Sequence, residues 1–163
     1  MLEFTFSDAL TPRLQAAGDA HLDFTPALAA IADAMRTSTL ENFAQERAPD
    51  GTPWQKSLRA VIESNKTLHD TGNLESSIAA DSDATQAVFG VSSDSGAQIY
   101  AAIHNNGGTI RARAGSALNT PFGPRASVRM PQRQFLGFGP DDVVRVEEEL
   151  VAHIEAAFAG GGA

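Results

Sequence analysis

One long helix signal, in the stretch Phe24–Arg47, constrains this chain more than any other feature of its sequence. Thr25 is predicted as its N-cap and Pro26 as its first helical residue, because these residue types favour those positions. Its apolar residues recur at helical spacing, namely Leu28, Ile31, Ala32, Met35, Leu40 and Phe43. A helix of about 20 residues is about 30 Å long, the diameter of a small domain. The remainder of the 163-residue chain therefore has to pack along it.

A turn rich in helix-breaking residues ends this helix. Pro49, Asp50 and Gly51 form a corner, because proline fixes φ and glycine supplies an unusual φ. Trp54, the sole tryptophan, follows the corner. It is predicted to be a core or interface anchor whose indole N–H finds an acceptor.

A second corner lies in the stretch 68–78. Its centre is Asp70-Thr71-Gly72, where glycine allows the turn. The side chain of Thr71 or Asp70 is predicted to cap a helix that starts at Asn73. That helix would present two apolar residues on one face, Leu74 and Ile78.

The middle of the chain has β character. Three strand-like runs lie at residues 86–93, 98–105 and 108–114. Asn105–Gly108 is predicted to be a tight connection between the second and third runs. Residues 115–134 are rich in glycine, proline and serine, and they are predicted to form a long loop that carries arginines.

Both ends of the chain add elements. A strand is predicted at Leu2–Phe6 and a short helix or turn at residues 7–19. Pro140 is predicted to start a C-terminal helix whose first turn holds two acidic residues that complement its dipole. Its apolar stripe comprises Val143, Val146, Leu150, Ile154 and Phe158. The terminal glycines predict a flexible tail at residues 159–163.

These elements together predict an α+β fold. A small antiparallel sheet, meander or sandwich-like, would pack with the long helix of the N-terminal half and with the C-terminal helix. The length suits a single domain, 1–163. No run of about 18 apolar residues is present, so no membrane span is expected, and the first residues lack the features of a signal peptide.

The charge of the chain is unevenly distributed. Its net charge is −8, yet residues 95–140 contain no Asp or Glu and carry about five positive charges. The arginines of that stretch are Arg111, Arg113, Arg125, Arg129 and Arg133. A cationic piece and an anionic remainder suggest an electrostatically complementary contact, with a partner or between copies of the chain. The alternative is that the charges simply disperse over the folded surface.

Few residues suggest chemistry. The absence of cysteine excludes disulfides, a thiol nucleophile and cysteine-ligated zinc, and makes the cytoplasm, or a particle assembled there, the natural compartment. The four histidines show no metal-ligand spacing, and no phosphate-loop or dinucleotide motif is present. His104 is predicted to be a hydrogen-bonded structural histidine at the end of a strand. A hydrolase built on Ser77 and His104 stays open as a remote alternative, and a nucleic-acid-binding module using the Arg111–Arg133 segment as a nearer one.

Four motifs, taken in order, resemble the phage virion morphogenesis proteins, which include tail completion proteins of Mu-like and related contractile-tailed phages. They lie within residues 43–139. The first two motifs comprise Pro49, Asp50, Gly51 and Trp54, then Leu68, Thr71, Gly72 and Leu74. The last two comprise Tyr100, Ala101, Ile103, His104, Gly107 and Gly108, then Met130, Pro131, Arg133, Phe135, Leu136 and Gly137.

This resemblance implies a structural protein and not an enzyme, with no catalytic, cofactor-binding or metal-binding residues. It implies a ring, with a hexamer favoured, at the neck or tail end of a virion assembled in the host cytoplasm. There the protein would complete the tail or join it to the head, beside tail tube, sheath or head-connector proteins. The corner at Thr71-Gly72 would set the angle between the linker that follows Trp54 and the sheet.

The five arginines are the predicted contact residues. We expect them either to meet the acidic C-terminal helix of a neighbouring copy or to line a channel that faces DNA. Arginine suits both roles, because its planar fork pairs with carboxylate or phosphate. The acidity of the whole chain favours the protein–protein role.

Overall fold

The structure combines several helices with small antiparallel sheets, which confirms the predicted α+β class. The computed structural model describes residues 10–19, 21–120 and 122–160, so the strand predicted at Leu2–Phe6 lies outside the described residues. The helices are α1 Leu10–Asp19, α2 Thr25–Gln45, α3 Leu58–Ile62, α4 Asn73–Ser76, α5 Gln98–Asn106 and α6 Pro140–Gly160. The strands are β1 Ile78–Ser82, β2 Ala87–Val91, β3 Gly108–Arg111 and β4 Ser127–Met130.

The chain divides into two compact units. Unit 1 comprises the described parts of Met1–Ser38, Ala79–Gly90 and Phe138–Ala163. Unit 2 comprises Thr39–Ile78 and the described parts of Val91–Gly137. Each unit has a hydrophobic core of its own.

The long helix begins and ends close to its predicted limits. Thr25 is its first helical residue rather than its N-cap, and the carboxylate of Asp23 accepts the Thr25 N–H at 2.9 Å. The helix runs for 21 residues to Gln45, and Glu46 follows with φ 53°. This left-handed residue turns the chain before Pro49, as the corner requires.

The core of unit 1 gathers apolar residues from α1, α2 and α6. Its buried members are Leu10, Ala27, Ile31, Met35 and Leu150. The start of α6 is fixed by Asp142, which is 4% exposed and accepts the Gly139 N–H at 2.8 Å. This is one half of a capping box, and it confirms Pro140 as the first helical residue. Phe158 of the predicted apolar stripe is instead 50% exposed.

The core of unit 2 is built around three aromatic rings. Phe43 meets Trp54 edge-on, with ring centroids 5.5 Å apart, and lies 5.1 Å from Phe135. Trp54 is 7% exposed, and its indole N–H donates to the Gln134 carbonyl at 2.8 Å. A tryptophan can be buried in this way because its one polar group has an acceptor.

The strand predicted at residues 98–105 is wrong, because this run forms helix α5. In a strand, Ile99 and Ala101 would lie on the same face. Here Ile99 is 84% exposed and Ala101 7%, while Ala97, four residues before Ala101, is fully buried. The period of burial is therefore helical, and Gly107 ends α5 instead of closing a hairpin. In the part of the chain that the structure describes, two separate two-stranded sheets take the place of the predicted meander.

The predicted loop 115–134 is partly a strand. β4 pairs antiparallel with β3, with Gly108 opposite Met130 and Arg111 opposite Ser127. A further bridge joins Leu118 to Arg125. The described residues of this stretch, 108–120 and 122–130, thus form a long hairpin, which we call the arginine hairpin.

The prediction that Leu74 and Ile78 lie on one face of the same helix is also wrong. Helix α4 has four residues, and Ser77 ends it by donating its hydroxyl to the Leu74 carbonyl at 2.6 Å. Ile78 then begins β1, which pairs with β2 across a connection too short for anything but antiparallel strands. Leu74 and Ile78 nevertheless lie in the same core.

The C-terminal tail differs in part from its prediction. Helix α6 continues through residues 159–160 of the predicted flexible tail, and residues 161–163 lie outside the described residues.

Replacing Phe135 by alanine tests the aromatic core. Phe135 is 0% exposed, so we expect Phe135→Ala to lower the free energy of unfolding by about 3–5 kcal/mol. The matched control is Phe122→Ala, since Phe122 is 63% exposed and its loss should change stability by less than about 0.5 kcal/mol. Urea unfolding followed by the fluorescence of Trp54 measures both. Equal effects of the two substitutions would contradict the proposed core.

Candidate functional site

The arginine hairpin presents an exposed positive surface. The pairing of Thr109 with Arg129 and of Arg111 with Ser127 places Arg111 and Arg129 on the same face, because side chains two residues apart on a strand share a side. Four of the predicted contact residues are exposed, namely Arg111, Arg113, Arg125 and Arg129. None of these four makes a salt bridge within the described residues. Their charges are therefore open to another molecule.

Arg133, the fifth predicted contact residue, has a different setting. It is 5% exposed, and its Nε donates to the Gln55 carbonyl at 2.7 Å. Its backbone N–H donates to the His104 carbonyl at 2.8 Å. In the part of the chain that the structure describes, no carboxylate lies within salt-bridge distance of it. Burial lowers the pKa of Arg133, as expected for a cation without a nearby counter-charge.

An open hollow of about 750 Å³ lies beside Arg133 in unit 2. Residues 55–59, 70–74 and 128–131 line it, together with Leu68 and two residues of α5, Tyr100 and His104. Four cations and one carboxylate contribute to the lining, namely Lys56, Arg59, Arg129, Arg133 and Asp70. Lys56 is paired with Glu46, and Arg59 with Glu63 and Asp70. The uncompensated charges of the hollow are those of Arg129 and Arg133.

His104 differs from its prediction in two respects. It lies on α5 and not at the end of a strand. Its Nδ1 is buried and has no hydrogen-bond partner among the described residues, whereas its carbonyl accepts from Arg133. Burial, and then the nearby charge of Arg133, lower the pKa of His104. A neutral imidazole is thereby favoured beside the guanidinium.

The first corner is closed by hydrogen bonds from a single side chain and the backbone. Gly51 has φ 86°, and the Asp50 carboxylate accepts the Thr52 N–H at 2.9 Å. That hydrogen bond lowers the pKa of Asp50. The backbone N–H of Trp54 donates to the Glu46 carbonyl at 2.8 Å, which brings the tryptophan back towards the end of α2.

The second corner forms part of the wall of the hollow. Leu68 and Gly72 both have positive φ, at 59° and 77°. Gly72 is the N-cap of α4, so neither Thr71 nor Asp70 holds the predicted capping position. Thr71 Oγ1, one residue earlier, accepts the Asn73 N–H at 3.4 Å. Thr71 and Gly72 line the hollow, so this corner shapes a surface as well as turning the chain.

Gly107 and Gly108 join α5 to the arginine hairpin where there is no room for a side chain. A Cβ on Gly107 would lie 2.8 Å from the Gln132 backbone nitrogen. A Cβ on Gly108 would lie 2.9 Å from Ile103 Cδ1. Close packing therefore explains why glycine stands at both positions. Pro131, next to Gln132, lines the hollow.

Sequence reasoning missed the hollow, and it missed two side chains that hold the backbone of residues 135–136. Asn105 Oδ1 accepts both the Phe135 and Leu136 N–H groups, at 3.0 and 2.9 Å. Asn42 Nδ2 donates to the Phe135 carbonyl at 3.4 Å. No local pattern marks such contacts, because the partners are far apart in sequence. Ser77, named in the remote hydrolase alternative, uses its hydroxyl to bond Leu74.

The comparisons with known proteins bear on the chain as a whole. The model of the phage virion morphogenesis family matches residues 6–155 of 163, which confirms the resemblance that the four motifs suggested. No curated protein and no solved structure matches the chain significantly. None of the described helices is long and apolar enough to cross a membrane. The described residues contain no group of three or more His, Cys, Asp or Glu side chains suited to hold a metal ion.

A comparison of two glycines tests the close packing beside the hollow. Gly107 has φ 68° and ψ −178°, a region that is essentially open to glycine alone. Gly96 has φ 68° and ψ −8°, and a Cβ added there would meet no atom of a neighbouring group within 4 Å. We expect Gly107→Ala to lower the free energy of unfolding by about 1–3 kcal/mol more than Gly96→Ala does. Urea unfolding of both variants measures the difference, and equal losses would contradict the account of Gly107.

The titration of His104 tests its environment. Because its folded-state pKa lies below the unfolded value of 6.5, neutral His104 contributes stability above that pH. The contribution is lost as pH falls from about 6.5 through the folded-state pKa. We expect NMR titration to give a pKa below 6.5 for His104, with His104→Gln identifying its signal. The stability advantage of the wild type over His104→Gln should shrink in the same pH range, and a pKa at or above 6.5 would contradict this environment.

Proposed function

This chain belongs to the phage virion morphogenesis family, and on that premise we propose that it forms a ring at the neck or tail end of a phage particle, where it completes the tail or joins it to the head. The match over residues 6–155 is the observation that carries the proposal. A structural role in particle morphogenesis follows from the family. The position in the particle and the ring are the proposed part.

The distribution of charge between the two units supports self-association. Unit 1 has thirteen Asp and Glu against three Arg, which gives a net charge of −10. Unit 2 has nine Lys and Arg against seven Asp and Glu, a net charge of +2. The uneven charge seen along the sequence therefore coincides with the two units. Copies of such a chain attract one another when unit 1 of one meets unit 2 of the next.

A contact between two different surfaces of the same chain is heterologous. Heterologous contacts close into a ring when the rotation between copies allows it. We favour six copies, with the four exposed arginines of the arginine hairpin towards the acidic α6 of the neighbour. The tail tube or sheath and the head connector are the proposed neighbours on the two sides of the ring, and the particle's neck or tail end is the proposed location.

A second candidate function is non-specific contact with DNA, favoured by the shape of the arginine hairpin. A two-stranded ribbon is narrow enough to enter a major groove, and Arg111 and Arg129 share one of its faces. This role predicts binding to any DNA sequence with a steep loss of affinity as salt rises. Gel shifts of the purified protein at low and moderate salt distinguish it from the protein–protein role, which predicts little DNA binding by the free acidic chain.

The assembly role is tested by restoring particles. Particles made without this chain should carry heads and tails that fail to join, or tails with unfinished ends. Adding the purified full-length protein to an extract of such particles should restore complete ones, counted by electron microscopy. If particles lacking the chain are complete, the proposed function is wrong.

Neutralising two exposed arginines tests the contact. Arg125→Gln combined with Arg129→Gln removes two positive charges from the arginine hairpin without touching the core, since both side chains are exposed. We expect the double variant to be monomeric at concentrations where the wild type forms a ring, measured by light scattering. The control is Arg13→Gln combined with Lys66→Gln, two exposed cations outside the hairpin. A ring that persists in the double variant, or is lost equally in the control, would contradict this contact.

A further inference from the structure

A buried guanidinium without a counter-ion is the unexplained feature of unit 2. Buried arginines in folded proteins are normally paired, because an unpaired buried charge is strongly unfavourable. Arg133 is 5% exposed, and within the described residues no carboxylate pairs with it. The single hydrogen bond from its side chain there runs from Nε to Gln55. The folded chain by itself therefore leaves this charge uncompensated.

The free end of the guanidinium meets the hollow. Arg133 lines the hollow, and its two Nη nitrogens are not among the fully enclosed polar atoms that lack a partner. His104, which also lines the hollow, has such an atom in its Nδ1. The guanidinium of Arg133 and the imidazole of His104, which lie close together, thus both have nitrogens without a partner, and both residues line the hollow. An incoming anionic group would supply the counter-charge that the guanidinium lacks.

The rim of the hollow has the composition of a protein-binding surface. Leu58 is 59% exposed and Tyr100 37%, and both line the hollow beside the exposed Arg129. Arginine and tyrosine are enriched among the residues that dominate binding energy, when apolar neighbours exclude water around them. A hollow of about 750 Å³ admits a few side chains and not a whole helix, whose diameter is about 10–12 Å.

The chain itself carries a complementary surface. On α6, Asp141, Val144 and Glu148 are spaced three and four residues apart, so they share one face of the helix. All three are exposed, and Val144 is 53% exposed. We call this face the acidic stripe. It combines an apolar side chain with a carboxylate one turn away on each side, which matches the exposed Leu58 and Tyr100 around a buried arginine.

We propose that the hollow of one copy receives the acidic stripe of the next copy, with Val144 of the neighbour against Leu58 and Tyr100 and the Glu148 carboxylate of the neighbour on Arg133. This proposal rests on the proposed ring and names the contact that closes it. The site is incomplete in a single chain, because Arg133 obtains its counter-ion from the neighbour. A carboxylate fits better than a nucleic-acid phosphate, since unit 1, which holds α6, carries the net charge of −10.

Two variants, each defective on one side of the contact, test the proposal on the full-length protein. Leu58→Glu places a carboxylate at the rim of the hollow, and Glu148→Lys reverses the charge of the acidic stripe. We expect each to weaken self-association at least tenfold, measured by sedimentation velocity over a range of concentrations in about 150 mM salt. The matched controls are Val61→Glu, which lies on the same helix as Leu58 but does not line the hollow, and Glu149→Lys, which lies beside the acidic stripe.

Mixing the two defective variants gives the sharpest result. Leu58→Glu retains an intact stripe and Glu148→Lys retains an intact hollow, so together they can form one contact and no more. We expect a mixture of the two to give a one-to-one dimer that neither forms alone. A mixture without a dimer, or controls that weaken association as much as the paired variants, would overturn the proposal.

The role of Arg133 is tested directly by Arg133→Gln, which removes the charge and should weaken association as much as Leu58→Glu does. Leu58→Glu leaves the hydrogen bond from Arg133 to Gln55 in place, so the test does not depend on the folding of the Arg133 variant. If the wild type stays monomeric up to about 1 mM, a very weak affinity, the docking proposal is overturned. Restoration of complete particles by the same protein would still support the proposed function, so the two can fail separately.

Discussion

The core of unit 2 depends on the hydrogen bonds that hold the segment Arg133–Leu136 in place. This segment runs through the core without belonging to a sheet, so its backbone groups need partners from other elements. Side chains supply most of them: the Trp54 indole bonds the Gln134 carbonyl, and the amides of Asn42 and Asn105 bond the segment on either side of Phe135. These hydrogen bonds tie the first corner, the end of α2 and helix α5 to the segment Arg133–Leu136. Phe135, 0% exposed, fills the space between them.

The same segment explains why a charged residue is buried next to a hollow. The backbone of Arg133 is held by His104 and its Nε by Gln55, so the position of the guanidinium is fixed before any partner arrives. A preorganised arginine loses little conformational freedom when a carboxylate binds it. Stability and assembly are thereby linked, because the segment that completes the core also places the charge that we propose a neighbour must neutralise.

The sequence predicts those parts of the fold that depend on local patterns. The ends of α2 and α6, strand β2, and the turns at Gly51 and Gly72 follow from proline, glycine, capping residues and apolar spacing. The strand predicted at residues 98–105 fails because a short run of apolar and small residues fits either period, and burial of Ala97 and Ala101 decides it only in three dimensions. Strand β4 is hidden by its glycine- and proline-rich surroundings. The burial of Arg133 depends on contacts across the chain, which composition cannot show.

The family match, the opposite charges of the two units and the unpaired Arg133 support one proposal. It is that copies of this chain assemble by docking the acidic unit of one onto the cationic unit of the next. Electron cryomicroscopy of the assembled particle tests that claim most directly. We expect a closed ring at the neck or tail end, in which density for the neighbour's α6 covers the hollow and a carboxylate contacts Arg133. A particle in which this chain forms no ring, or in which Arg133 faces an open, solvent-filled hollow in every copy, would contradict it.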